Sequence, residues 1–169
     1  YTPINYSGSI NIGNLNNLPN LKSVQLNKLN ATSFPTLKES KQLTSIVFSE
    51  KQLNTIPNLS NFINLKSVNF ESNNIRDLSN LNTISPNLET LALGKNQISS
   101  LPNMNQFTKL QSLVLYTNNL SEIPDLSKLI SLNKLDISNN NIHTYKNLDK
   151  LNEMATPPSV VLQRNTLTA

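Results

Sequence analysis

Apolar residues return along the chain at a nearly fixed interval. Leu21, Leu43, Leu65, Leu88, Leu110 and Leu132 follow one another at spacings of 22, 22, 23, 22 and 22 residues. Three places after each comes Val24, Ile46, Val68, Leu91, Leu113 or Leu135, and two further on Leu26, Phe48, Phe70, Leu93, Leu115 or Ile137. Side chains two apart lie on one side of an extended chain, so every unit predicts a short strand with that side facing a core. A last unit repeats the pattern with Val160, Leu162, Asn165 and Leu167, although Pro157 opens it and three extra residues precede it. Seven strands follow from this count. A period of this length is the signature of a stacked solenoid.

The rest of each unit steps in threes, as in Ile56, Leu59 and Phe62 or Ile123, Leu126 and Leu129, which suits a 3₁₀ or extended return arc. Pro35, Pro57, Pro102 and Pro124 occupy one slot of that arc, with Ser79 and Lys146 in the same slot elsewhere. Proline fixes φ and offers no N–H, which discourages a regular helix there, so the return side is expected to consist of short turns and 3₁₀ pieces. Eight residues after the opening position stand Asn73, Asn96, Asn118, Asn140 and Asn165. A carboxamide supplies both acceptor and donors, and this column is expected to satisfy backbone groups where the chain leaves the strand, a structural role. Leu29 and Lys51 fill the slot in the first two units.

The predicted architecture is a single α/β-type solenoid domain over 1–169, with a partial N-terminal unit at 1–20, six repeats at 21–156 and an incomplete repeat at 157–169. Its open end leads to the expectation of a longer protein that continues past Ala169 with a capping segment. Composition supports a repeat: 30 Asn and 28 Leu make up a third of the chain. The absence of cysteine removes disulfide scaffolds and the common zinc clusters. The net charge of +4 is scattered without basic runs, which argues against nucleic acid as a partner. No apolar run approaches the roughly 20 residues that span a bilayer, so no membrane insertion is expected within this segment.

Candidate chemistry is sparse. His143 is the sole histidine, in an expected exposed turn, and no metal-ligand spacing, phosphate loop or paired-carboxylate motif is present. The expectation is a protein without catalytic residues, metal or cofactor. Sequons at Asn5, Asn30, Asn58 and Asn119 are no more than this composition gives by chance.

The strand positions that point away from the core are more informative, because solenoids use that sheet face as an extended binding surface. One outward column reads Ser23, Ser45, Ser67, Thr90, Ser112, Lys134 and Ser159. The next two hold Val47, Ala92, Val114 and Tyr116, apolar or aromatic on a face with no folding reason to be so, with Glu71 and Asp136 at the rim. These six residues are the candidate ligand-binding set. Valine is also a good strand former, which is the competing explanation.

The pattern LxxLxLxxNxI on a 22-residue period resembles the leucine-rich repeat family over about residues 12–167, and its period and asparagine column look like the internalin class of bacterial surface proteins. That resemblance implies a right-handed curved rod, a parallel sheet on the concave face, and short 3₁₀ or extended arcs on the convex one. It further implies a monomeric protein-interaction module at the cell surface or secreted, used for adhesion to a host protein. Two alternatives accompany it: a cytoplasmic scaffold or regulatory subunit, since similar repeats occur in a phosphatase regulatory subunit, and a rigid spacer with no ligand.

Overall fold

A computed structural model describes residues 4–8, 22–29, 41–50 and 52–167. Leu21, Asn30, Pro35, Lys51 and Ala169 lie outside the described residues. Eight strands form one sheet in chain order: β1 (Ile4–Gly8), β2 (Ser23–Leu29), β3 (Ser45–Val47), β4 (Ser67–Asn69), β5 (Thr90–Ala92), β6 (Ser112–Val114), β7 (Lys134–Asp136) and β8 (Ser159–Val161). Every neighbouring pair is parallel. The spacing fixes the register: Ile46 faces Val68, which faces Leu91, then Leu113, Leu135 and Val160. A slip of one residue would turn each of these out of the core, which is why the pairing is uniform. The expected count of seven strands is one short. β1 lies in the partial N-terminal unit, pairs with β2 through an irregularity between Asn5 and Ser7, and belongs to a stretch with neither the opening leucine nor the asparagine, so the repeat pattern gave no sign of it.

One core runs along the stack. Ile46, Phe48, Leu65, Val68, Phe70, Leu91, Leu93, Leu113, Leu115, Leu135 and Ile137 are fully buried, and the return arcs close it with Ile56, Leu59, Phe62, Ile84, Phe107, Ile123 and Leu129. The 23-residue unit places its extra residue at Ser85, which is buried between Ile84 and Leu88. Its hydroxyl donates to the Ile63 carbonyl at 3.0 Å, so the insertion brings no unsatisfied group into the core.

Beyond each three-residue strand the backbone ladder continues, for example Phe70 N–H to Ala92 O, Leu93 N–H to Val114 O and Leu115 N–H to Asp136 O. From the coil of β3 onward the chain then turns through a left-handed residue: Glu50, Ser72, Lys95, Thr117, Asn139 and Arg164 have φ between 54° and 59°. None is glycine, and after Ser72, Lys95, Thr117, Asn139 and Arg164 the next residue is an asparagine that compensates for the sharp exit. Asn118 donates to Leu115 O of its own coil at 3.0 Å and to Leu93 O of the preceding coil at 3.1 Å, and its Oδ1 accepts from Ile98 N at 3.0 Å. Asn73, Asn96, Asn140 and Asn165 make the equivalent bonds. Each asparagine therefore ties two neighbouring coils at the place where their strands end.

A second polar column, one place after the proline slot, consists of Asn58, Asn80, Asn103, Asp125 and Asn147. Where proline precedes it, the side chain closes a local turn: Asn58 accepts from Ser60 N, Asn103 from Asn105 N and Asp125 from Ser127 N. Where proline is replaced by Ser79 or Lys146, Asn80 and Asn147 instead donate to the previous coil, at Ile56 O and Ile123 O. Among the described residues, the same two coils hold the helical turns of the return side, a 3₁₀ turn at Leu81–Thr83 and a helix, α1, at Leu148–Asn152. The described return side thus keeps the expected short turns and 3₁₀ pieces, with α1 a single short turn of α-helix among them. Lys146 removes the proline restraint there, and the longer unit that Leu132 opens, residues 132–156, provides the residues for a turn of helix.

Two ion pairs join α1 and its approach to the coil before: Lys146 to Glu122 at 3.7 Å and Lys150 to Asp125 at 2.9 Å. The Lys150 ammonium, then the Ser127 hydroxyl and amide, hold the Asp125 carboxyl down to about 2. Because the folded value is depressed, the pair contributes fully above the usual carboxylate range and is lost as pH falls through about 2. Lys150→Met is expected to move the Asp125 titration midpoint, followed by carboxyl carbon NMR, back up toward the ordinary value. An unchanged midpoint would assign the depression to Ser127 alone.

Candidate functional site

The solvent side of the sheet is built in rows across the strands. One row runs Val47, Asn69, Ala92, Val114, Asp136 and Val161 in direct register. The next row, just past the strand ends, holds Ser49, Glu71, Gly94, Tyr116, Ser138 and Gln163, connected by bonds such as Ser72 N–H to Gly94 O and Lys95 N–H to Tyr116 O. The structure places five of the six candidate residues, Glu71, Ala92, Val114, Tyr116 and Asp136, on or just past the neighbouring strands β4 to β7, with Glu71 and Asp136 three strand spacings apart. Val47 is set apart, because Asn69 on β4 lies between it and Ala92. Ala92 is also removed from the exposed set, because it keeps only 7% of its surface, and the apolar part that remains accessible beside Tyr116 is the half-buried Val114.

Tyr116 organises this patch. Its ring lies across Gly94, so close that a Cβ added there would be 2.5 Å from Cε1 and 2.7 Å from Cζ. Its hydroxyl reaches past β5 and donates to Glu71 Oε2 at 3.2 Å. The glycine is thus required by a close approach of a neighbouring side chain. On the other flank, Asp136 Oδ1 accepts from Ser138 N at 3.1 Å and from Ser138 Oγ at 2.7 Å. Partial burial of the phenol, followed by the negative charge of Glu71 and its hydrogen bond, and last the charge of Asp136, pushes the Tyr116 pKa above its ordinary value. The phenol consequently stays a neutral donor at neutral pH.

Gly94 and Ser138 are the members of the patch that the apolar criterion passed over. The outer column, Ser45, Ser67, Thr90 and Ser112, is half-buried, whereas Lys134 and Ser159 are exposed. The asparagine column lies inside the stack: Asn73, Asn96, Asn118 and Asn140 are buried and Asn165 is half-buried, so none presents its amide to a ligand.

A family model described as Leucine Rich repeats (2 copies) matches residues 86–128, the coils of β5 and β6. An internalin (inlF) from Listeria monocytogenes str. 4b F2365 is similar over 94% of this chain and 46% of its own, with a TM-score of 0.74 and 25% identity. Residues 86–128 are leucine-rich repeats, and the fold is a leucine-rich repeat solenoid. TLR13, solved in a complex with ssRNA13, is also similar to this leucine-rich repeat protein, with a TM-score of 0.78 and 26% identity over 99% of this chain and 25% of that one. The leucine-rich repeat protein thus spans less than half the length of either. No curated protein matches it.

Elsewhere on the leucine-rich repeat protein, His143 is exposed, with Nδ1 3.2 Å from the Asn141 carbonyl oxygen. Among the described residues no group of three or more His, Cys, Asp or Glu side chains is placed to hold a metal ion, and no helix is long and apolar enough to cross a membrane. A hollow of about 510 Å³ at the last coil is lined by Tyr145, Leu148, Leu151, Pro157, Pro158 and Val160 among others.

Proposed function

We propose that this leucine-rich repeat protein is a protein-binding module that receives its partner on the concave sheet face, over Val114 and Tyr116, in a bacterial adhesion protein that acts at the cell surface or after secretion. The observation that supports the binding face is the placement of Tyr116. Its ring is pinned over Gly94 by a hydrogen bond to Glu71 beside the half-buried Val114, on a face where water would favour polar side chains. An aromatic group already held in one rotamer loses little entropy when a partner covers it, which is the usual condition of a hot spot. Seven strand spacings of about 4.8 Å give a sheet roughly 34 Å long, enough for a standard interface of about 800 Å² per partner. The adhesive role is supported by the likeness to an internalin.

The test is capture by the immobilised protein from host cell-surface extract and, separately, from cytosolic extract. The expected result is a surface protein whose affinity falls at least about 30-fold on Val114→Glu, the effect of losing a central contact of roughly 2 kcal/mol, with the variant's fold checked by circular dichroism. A cytosolic partner with the same sensitivity would replace adhesion by a scaffold role. A partner indifferent to the substitution would remove the concave face from the reading, and no partner in either extract would leave a rigid spacer.

A further inference from the structure

The flank of the rod where the strands begin collects the charge of the chain. A window of two residues either side of the six opening leucines takes in Lys22, Lys41, Lys66, Lys109 and Lys134 but one acid, Glu89. These are five of the 14 basic residues and one of the 10 acidic ones, and the nine of each sign that remain cancel, so the window carries the whole net charge of +4. Stacking brings it into rows. A backbone ladder joins Lys22, Thr44, Lys66, Glu89, Gln111 and Asn133 from coil to coil. Beside it, Asn64 donates to the Lys41 carbonyl and the Lys109 ammonium to the Asn87 amide oxygen. All five lysines are exposed, and none forms an ion pair among the described residues. The same window holds two of the three large apolar side chains exposed among the described residues, Ile63 at 47% and Ile130 at 71%, each two places before an opening leucine. Their coils are three apart, roughly 14 Å at about 4.8 Å per coil.

We propose that this flank docks, as a peripheral contact, on the surface of a bilayer that contains anionic phospholipid. Ammonium groups within a Debye length of a negative surface are each drawn to it, and five on one side of a rod act together. Ile63 and Ile130 then leave water for the boundary between headgroups and acyl chains. Lysines alone serve solubility, and a single exposed isoleucine is ordinary. Their coincidence on one flank, with opposite charges balanced everywhere else, selects lipid. Single-stranded nucleic acid stacks its bases on aromatic rings, and the window contains none. A soluble polyanion would engage the lysines and leave both isoleucines in water. Each coil repeats the same turn before its strand, so the flank is level from coil to coil, as contact with a bilayer requires. Val114 and Tyr116, at the other end of the strands, stay open to a protein partner.

Docking of this kind is independent of what the concave face binds. The experiment is co-sedimentation of the intact chain with vesicles of mixed phosphatidylglycerol and phosphatidylcholine, and with vesicles of phosphatidylcholine alone. The expected result is binding to the anionic vesicles only, weakened at least about tenfold when salt is raised from about 0.1 M to about 1 M. The combined Lys66→Glu and Lys109→Glu variant should bind at least about 30-fold more weakly. Ile130→Ser should lower vesicle binding at least about fivefold and leave retention on a heparin column unchanged, since only the bilayer receives the isoleucine. All three substitutions are at exposed positions, and far-UV circular dichroism matching wild type establishes that each variant is folded. Equal binding to phosphatidylcholine alone, no binding to either vesicle, or vesicle binding untouched by the lysine reversals would each overturn the proposal. Heparin retention together with vesicle binding indifferent to Ile130→Ser would replace the bilayer by a soluble polyanion.

Discussion

Replacing Asn118 by alanine is expected to lower the unfolding free energy by about 3 kcal/mol, measured by urea denaturation. The amount follows from the bonds. Alanine leaves the buried Ile98 N–H with no acceptor, and it removes donations to the Leu93 and Leu115 carbonyls. Those carbonyls are not orphaned, because Asn96 also donates to Leu93 O and Asn140 to Leu115 O. The loss is thus one unsatisfied amide plus two thinned carbonyls, short of three full desolvation penalties. Asn118→Asp separates the roles further. It retains the acceptor but turns a carboxylate oxygen toward carbonyl oxygens, so its folded pKa rises above the unfolded value. Its penalty should grow as pH climbs above about 4 and shrink below it. Equal stability of the aspartate variant at pH 3 and pH 7, or an alanine variant within about 1 kcal/mol of wild type, would contradict this account of the column.

Phe70→Ala should cost more, about 4 kcal/mol, near the centre of the range for emptying a fully enclosed phenylalanine site. Phe70 has no exposed surface and lies one coil inward from Phe48 and one outward from Leu93, so no mobile surface group can collapse into the space. Leu162→Ala in the final coil, where the side chain is only partly buried, is expected to cost about 1 kcal/mol. The contrast tests whether the stack behaves as a chain of nearest-neighbour contacts. A defect in the middle weakens two interfaces, while one near the end weakens the last. The chain contains no tryptophan, so far-UV circular dichroism is the practical probe. Similar losses for the two variants would mean that the coils do not unfold with position-dependent stability.

The repeated features were legible because each coil restates them. The strand register, the inward leucines and the asparagine column all recur at one spacing, so any coil predicts the others. What the sequence hid were features built from positions a repeat does not link. Tyr116 and Glu71 are 45 residues apart, and only the register across β4, β5 and β6 brings them together. Gly94 reads as a gap in a column until the ring above it is seen. Val47 looks like a member of the apolar set, yet Asn69 separates it, a fact of neighbours in the sheet rather than of composition. The left-handed column was silent for another reason: Glu50, Ser72, Lys95, Thr117, Asn139 and Arg164 share no residue type that announces positive φ. The helix α1 appears where Lys146 interrupts the proline column, a substitution visible in the sequence whose effect depends on the longer coil behind it.

The asparagine bonds also set how the rod would respond to being pulled. Every one of them connects a coil only to itself or to the coil before, and the strands pair only with immediate neighbours. Tension applied at the two ends therefore meets a series of similar clasps rather than one shared seam. Coils would come away singly, each releasing about 75 Å of extended chain at roughly 3.4 Å per residue, and each leaving the remainder wound. A tether of this kind yields in steps and shortens again when the load is removed.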